Sequence, residues 1–158
     1  VDLSGVGVDP DFGPVVLNAN NPNSGPITTI DYDITVQTNS PSWGSEVQIL
    51  LTHDSSGFSV FADGNGIDDI GGAPVDVTLG WGDSTGTFSF AGSYDATGQL
   101  ADVGGAWTVT LTDDFSDTFA TPDHQYLSGS TITVNNVPAP AGLAILGLGG
   151  LVASRRRR

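Results

Sequence analysis

Oxygen ligands are the chemistry this sequence offers most freely. In Asp63-Gly64-Asn65-Gly66-Ile67-Asp68-Asp69, the side chains of Asp63, Asn65, Asp68 and Asp69 are interleaved with or follow flexible glycines. That spacing lets a loop wrap carboxylate and carbonyl oxygens around a hard cation, and Ca2+ is the ion such a set takes. The stretch opens like a helix-flanked calcium loop, but no Glu closes it and no helical periodicity flanks it. Asp, Asn and Gly are also the commonest turn residues, so an ordinary hydrated hairpin loop is the simpler reading. A second acidic group, Asp113, Asp114 and Asp117, follows a strand-like run. Its carboxylates would repel one another unless a cation or a proton lay between them.

The imidazoles are His53 and His124. With so many Asp they could complete a metal site, or His53 could act as a general base towards Ser55 or Ser56. A surface hydrogen-bonding role for His53, at a strand end, is the simpler reading. There is no Lys and no Cys. Schiff bases on lysine, thiolate metal sites and disulfides are therefore excluded. Chance pairs of Asp are unavoidable in such a chain and do not signal glycoside hydrolysis. The expectation is a protein that is not an enzyme. Trp43 and Trp81, at strand ends, could stack on sugar rings if exposed, or plug the end of a sandwich if buried.

Charge is distributed unevenly. The chain has eighteen acidic residues, all Asp except Glu46, and its four basic residues are Arg155, Arg156, Arg157 and Arg158. Residues 1–154 therefore hold no Lys or Arg, and side-chain ion pairs there can form only with histidine. Self-repulsion must be offset by hydrogen bonding, hydration or bound cations. Binding nucleic acid through its phosphates is excluded. The acidity fits either a soluble secreted protein or one that collects Ca2+.

The elements that must position these residues read as strands. Residues 1–14, broken by Pro10 and Pro14, suggest an extended arm or a first edge strand. Val15 to Leu17 form a short apolar run, and 18–26, rich in Asn and Pro, read as a loop. Residues 27–38 alternate most clearly, with Ile30, Tyr32, Ile34 and Val36 on one face. Further strands are expected at 46–53, 58–62, around Val75, Val77 and Leu79, around Phe88 and Phe90, at 106–112 and at 130–135. Loops are expected at 63–72, 94–104 and 113–123. About eight short strands without helical periodicity predict an all-β, antiparallel, jelly-roll-like β-sandwich over residues 15–136, with its core filled by Trp and Phe.

Residues 137–158 are different in kind. Val137-Pro138-Ala139-Pro140 leads into an uncharged Gly- and Leu-rich span that ends at Arg155–Arg158. As a helix, the sixteen residues from Ala139 to Ser154 would measure roughly 24 Å. That is slightly short of a hydrocarbon core of about 30 Å, a mismatch that snorkelling arginines and bilayer thinning can absorb. The arginines would stay cytoplasmic and the preceding residues would face outward. The order of parts resembles the PEP-CTERM sorting signal of Gram-negative bacteria, with Ala139 where Glu is usual. The resemblance implies an exosortase as processing enzyme, at least transient membrane contact through a helical tail, and delivery to the cell surface or extracellular matrix. A simple C-terminal membrane anchor is the plainer alternative. The lack of Met, with Val1 first, is expected of a chain whose secretory signal has been removed.

Within the sandwich, Gly105-Ala106-Trp107-Thr108-Val109-Thr110-Leu111-Thr112-Asp113 resembles the Gly-x-Trp-x-Leu-x-Val-x-Asp strand of the proprotein-convertase P domain. That family implies a noncatalytic jelly roll. The chain departs from it in a longer loop at 118–126 and in lacking a Trp on the last strand. Two functions follow as expectations. One is a structural surface or matrix protein that self-assembles into filaments or a sheath through strand edges, arm or tail. The other is a monomeric surface module that binds polysaccharide or Ca2+.

Overall fold

The computed structural model describes residues 1–9, 11, 13–66, 74–113 and 122–138. Asp68, Asp69, Asp114, Asp117, Pro140, Arg155–Arg158 and the expected helical tail lie outside the described residues. The described chain is all β, with ten strands in two five-stranded sheets. They are β1 (Gly7–Val8), β2 (Val15–Asn21), β3 (Ile27–Thr38), β4 (Val47–His53), β5 (Ser59–Asp63), β6 (Val77–Thr78), β7 (Thr87–Asp95), β8 (Gly105–Asp113), β9 (His124–Tyr126) and β10 (Thr131–Asn136).

β3 is the spine of the first sheet. Its β-branched residues suit a pleated surface, and Ile30, Tyr32, Ile34 and Val36 are all buried. One side pairs with β7 from Thr29↔Asp95 to Gln37↔Thr87. The other side pairs first with β10 and then with β9, and β1 adds to β9. Residues 1–8 thus follow the sheet margin, with Leu3 and Val8 buried and Asp2 bridged to Thr131. On the outward face, Asp31 takes hydrogen bonds from Ser93 and Asn135, and Thr35 meets Ser89.

The second sheet runs β2-β8-β4-β5-β6. In β8, Trp107, Val109 and Leu111 point into the core while Thr108, Thr110 and Thr112 point away, so the period-two pattern is met in full. Between the sheets these side chains meet Ile30, Ile34, Val36, Ile49, Leu51, Tyr126 and Ile132 in one continuous core.

Several elements differ from the sequence reading. Residues 18–21, expected in a loop, continue β2, because Asn18↔Thr108 to Asn21↔Gly105 complete a ladder with β8 that outweighs the turn preference of Asn. β7 runs on through Tyr94 and Asp95, expected in a loop, held by the length of β3. β9 is too short for its alternation to register. β6 lies parallel to β5, so the pairing is not wholly antiparallel.

Two lateral margins result. β7 sits over the β6 margin, where Phe88 meets Trp81 at 5.7 Å between ring centroids. At the other margin Val1 faces Asn20 and Asn21 of β2 across a shallow cleft. Among the described residues, β7 and β2 each pair on one side only.

Candidate functional site

β8 carries its inward register to its final residue, so Asp113 enters the interior where Trp107, Val109 and Leu111 did. Its neighbour across the ladder is Val47, which brings Glu46 to the same place. From the opposite sheet His124, the first residue of β9, points inward and is buried. Its Nδ1 lies 2.7 Å from Asp113 Oδ2. Its Nε2 lies 3.0 Å from the carbonyl oxygen of Trp43. Trp43 also donates its backbone N–H to Glu46 Oε2 at 2.8 Å across the 3-10 turn Gly44–Glu46. One short turn thus orients both the histidine and the glutamate.

A carbonyl accepts but never donates, so Nε2 carries a proton. Nδ1, facing a carboxylate, must carry a second proton or share another cation. Burial works against charge on His124. The hydrogen bond and charge of Asp113, the Trp43 carbonyl and the charge of Glu46 outweigh it, and the pKa of His124 lies above its ordinary 6.5. Tyr126, two residues along β9, is fully buried. Its hydroxyl is without a hydrogen-bond partner, and burial and then the charge of Asp113 push its pKa up. Ligand atoms of Glu46, Asp113 and His124 all lie within 4.8 Å of one another.

Of the expected loop at 63–72, the described part begins at Asp63, the last residue of β5. Asp63 is buried and aims Oδ1 at its own loop, accepting the N–H groups of Asn65 at 3.0 Å and Gly66 at 2.6 Å. Gln48 approaches Oδ2 at 3.4 Å. Asp63, the described acid of that loop, thus closes its own turn through Oδ1. The glycine beside it is needed for close approach, since a Cβ on Gly64 would lie 2.2 Å from the Gly44 carbonyl oxygen.

His53 is buried rather than at the surface, because the β4–β5 turn folds it against Trp107 at 4.9 Å. Its Nε2 meets the Gly104 carbonyl at 3.0 Å and its Nδ1 the Ser56 hydroxyl at 2.8 Å. That hydroxyl also accepts the N–H of Phe58, so it closes the turn. Trp81 is only 6% exposed and packs at a tilt against Phe88, the buried placement expected of a plug at the sandwich end. Trp43 remains 45% exposed. The cleft beside Val1 measures about 190 Å3, below the roughly 300 Å3 at which small-molecule pockets begin.

Sequence reasoning singled out Asp113 and His124 but not their pairing with Glu46. The available signal was an aspartate in the inward register of an alternating apolar strand. Among the described residues, no helix is long and apolar enough to cross a membrane. Comparison of the chain with protein-family models, with curated proteins and with solved structures found no match.

Proposed function

We propose that the chain is a noncatalytic structural protein, exported to the cell surface or extracellular matrix of a Gram-negative bacterium, whose copies join edge to edge into filaments or a sheath. The observation that carries this reading is β7. It is a nine-residue margin strand with no charge or proline between Thr87 and Tyr94. Natural sheets blunt such edges with Lys, Pro or inward charges, because unpaired backbone groups recruit another strand. β2, at the opposite margin, is equally bare, and its Val16 is 52% exposed. A contact from β2 of one copy to β7 of the next is head-to-tail, and without ring closure such contacts give an open filament.

The tail supports export. Val137, Pro138, Pro140 and Arg155–Arg158 have the order of a signal that an exosortase would process, with the apolar span lodged transiently in the membrane. Ca2+ between acidic surfaces would relieve the repulsion among copies of net charge −14.

Light scattering of the full chain over a concentration series tests this directly. Large assemblies are expected, and Ala91→Lys or Val16→Lys should return them to monomers. A chelator should weaken them to the extent that Ca2+ contributes. Monomers at every concentration, or assemblies indifferent to both lysines, overturn the edge-to-edge reading. A second reading rests on the exposed indole of Trp43: a monomeric surface module that stacks a polysaccharide there.

A further inference from the structure

We propose that Glu46, Asp113 and His124 form a binding site for one divalent ion of the zinc class, which ties the two sheets together at one end of the sandwich. The proposal is independent of edge-to-edge assembly.

Charge gives the first argument. The Asp113 carboxylate is buried, and its Oδ2 lies 2.7 Å from the equally buried His124 Nδ1. A cation must lie between Nδ1 and Oδ2, either a proton or a metal ion. Geometry gives the second. The ligands come from three separate segments, and a tetrahedral zinc ion holds its ligand atoms roughly 3.3 Å apart at Zn–N and Zn–O lengths of about 2.0–2.1 Å. The atoms here start between 2.7 Å and 4.8 Å apart. Small rotamer adjustments of Glu46, which is half-buried, close that difference. Orientation gives the third. The Nε2 proton on the Trp43 carbonyl fixes the tautomer that aims a lone pair from Nδ1 at the carboxylates, as an outer hydrogen bond does for metal-bound histidine.

The Tyr126 hydroxyl is the independent observation. It is buried and unpartnered, and lies on the same inward face of β9 as His124. A water on the fourth position of the ion would satisfy it. One imidazole with two carboxylates favours a borderline ion such as Zn2+ over Ca2+, which prefers an all-oxygen shell of higher number.

Calorimetric titration of the full chain with Zn2+, and separately with Ca2+, at about pH 6.5 in buffers of different ionisation enthalpy tests the proposal, since an ion entering at Nδ1 must expel its proton. The expected result is one Zn2+ per chain with proton release. Glu46→Gln and His124→Gln should each weaken it by about tenfold or more, the scale of loss seen when even an outer partner of a metal ligand is removed. Glu46→Gln leaves the His124–Asp113 pair in place and so guards against misfolding as the cause. Absence of Zn2+ binding means that a proton alone fills the site, and overturns the proposal. So does binding without proton release, binding that survives both substitutions, or Ca2+ binding of equal strength lost in the same variants.

Discussion

β4 and β8 lie side by side for seven residue pairs, and each end of that ladder holds a buried histidine. At one end His53 pairs with Trp107 across the ladder and spends its nitrogens on a hydroxyl and a carbonyl. A neutral imidazole satisfies both partners. At the other end Asp113 meets His124, which spends its nitrogens on a carboxylate and a carbonyl. There a neutral ring beside an ionised carboxylate fails one partner, so a proton or a metal ion must lie between the two. The same residue type at the same depth is a turn-closing side chain in one place and half of a charged pair in the other. What separates them is the partner that strand register delivers: an inward position of β8 is filled by indole at Trp107 and by carboxylate at Asp113.

The largest expected effect comes from breaking the charged end. His124→Ala leaves Asp113 buried without its counter-ion, a loss of about 3–5 kcal/mol. His53→Ala removes packing against Trp107 but strands no charge, and should cost roughly 1–2 kcal/mol. Urea denaturation of the two variants measures the difference, and equal losses would remove the distinction between the ends. The double variant Asp113→Leu, His124→Leu sharpens the test. Replacing a whole buried pair with apolar groups is often neutral, so it should recover most of the loss. A double variant as unstable as His124→Ala would show that the two side chains fix packing and not charge.

How much of this was legible beforehand follows from periodicity. β3 and β8 could be read residue by residue, since Ile30, Tyr32, Ile34 and Val36, and Trp107, Val109 and Leu111, repeat every second position and all are buried. β9 could not, because three residues carry no period. The Asn-rich half of β2 was hidden because its strand character comes from β8 across the ladder, not from its own composition. The same limit governed the site. Asp113 and His124 each stood out, yet their meeting depends on two sheets closing face to face, which no local spacing encodes. The Asp63 loop shows the converse, since its ligand-like spacing is also that of a carboxylate capping its own turn.

A smaller effect separates the ends in acid. Asp102 accepts the N–H groups of Gly104 and Gly25, joining the His53 end to the loop before β3. Those two bonds, with a minor contribution from His53, hold its pKa below the ordinary 3.8. A carboxylate with a lowered folded pKa stabilises the fold above the unfolded value, and that contribution is lost as pH falls through the folded one. The urea midpoint should therefore drop more steeply from about pH 5 to about pH 3 in the native chain than in Asp102→Asn. Parallel curves would mean that Asp102 contributes nothing to the His53 end.

The smallest change in stability is expected at Trp43, although it sits nearest the charged end. Its contribution to that end is made by the backbone: the carbonyl receives His124 Nε2 and the N–H serves Glu46. The indole itself is exposed, so Trp43→Ala should change stability by no more than about 0.5 kcal/mol. What it should abolish, if the surface-module reading holds, is quenching of tryptophan fluorescence by added polysaccharide, because Trp81 and Trp107 are buried and cannot stack on a sugar. Quenching that persists without Trp43 would place any sugar contact elsewhere. A large loss of stability would mean that the indole, and not the backbone beneath it, holds the turn to His124.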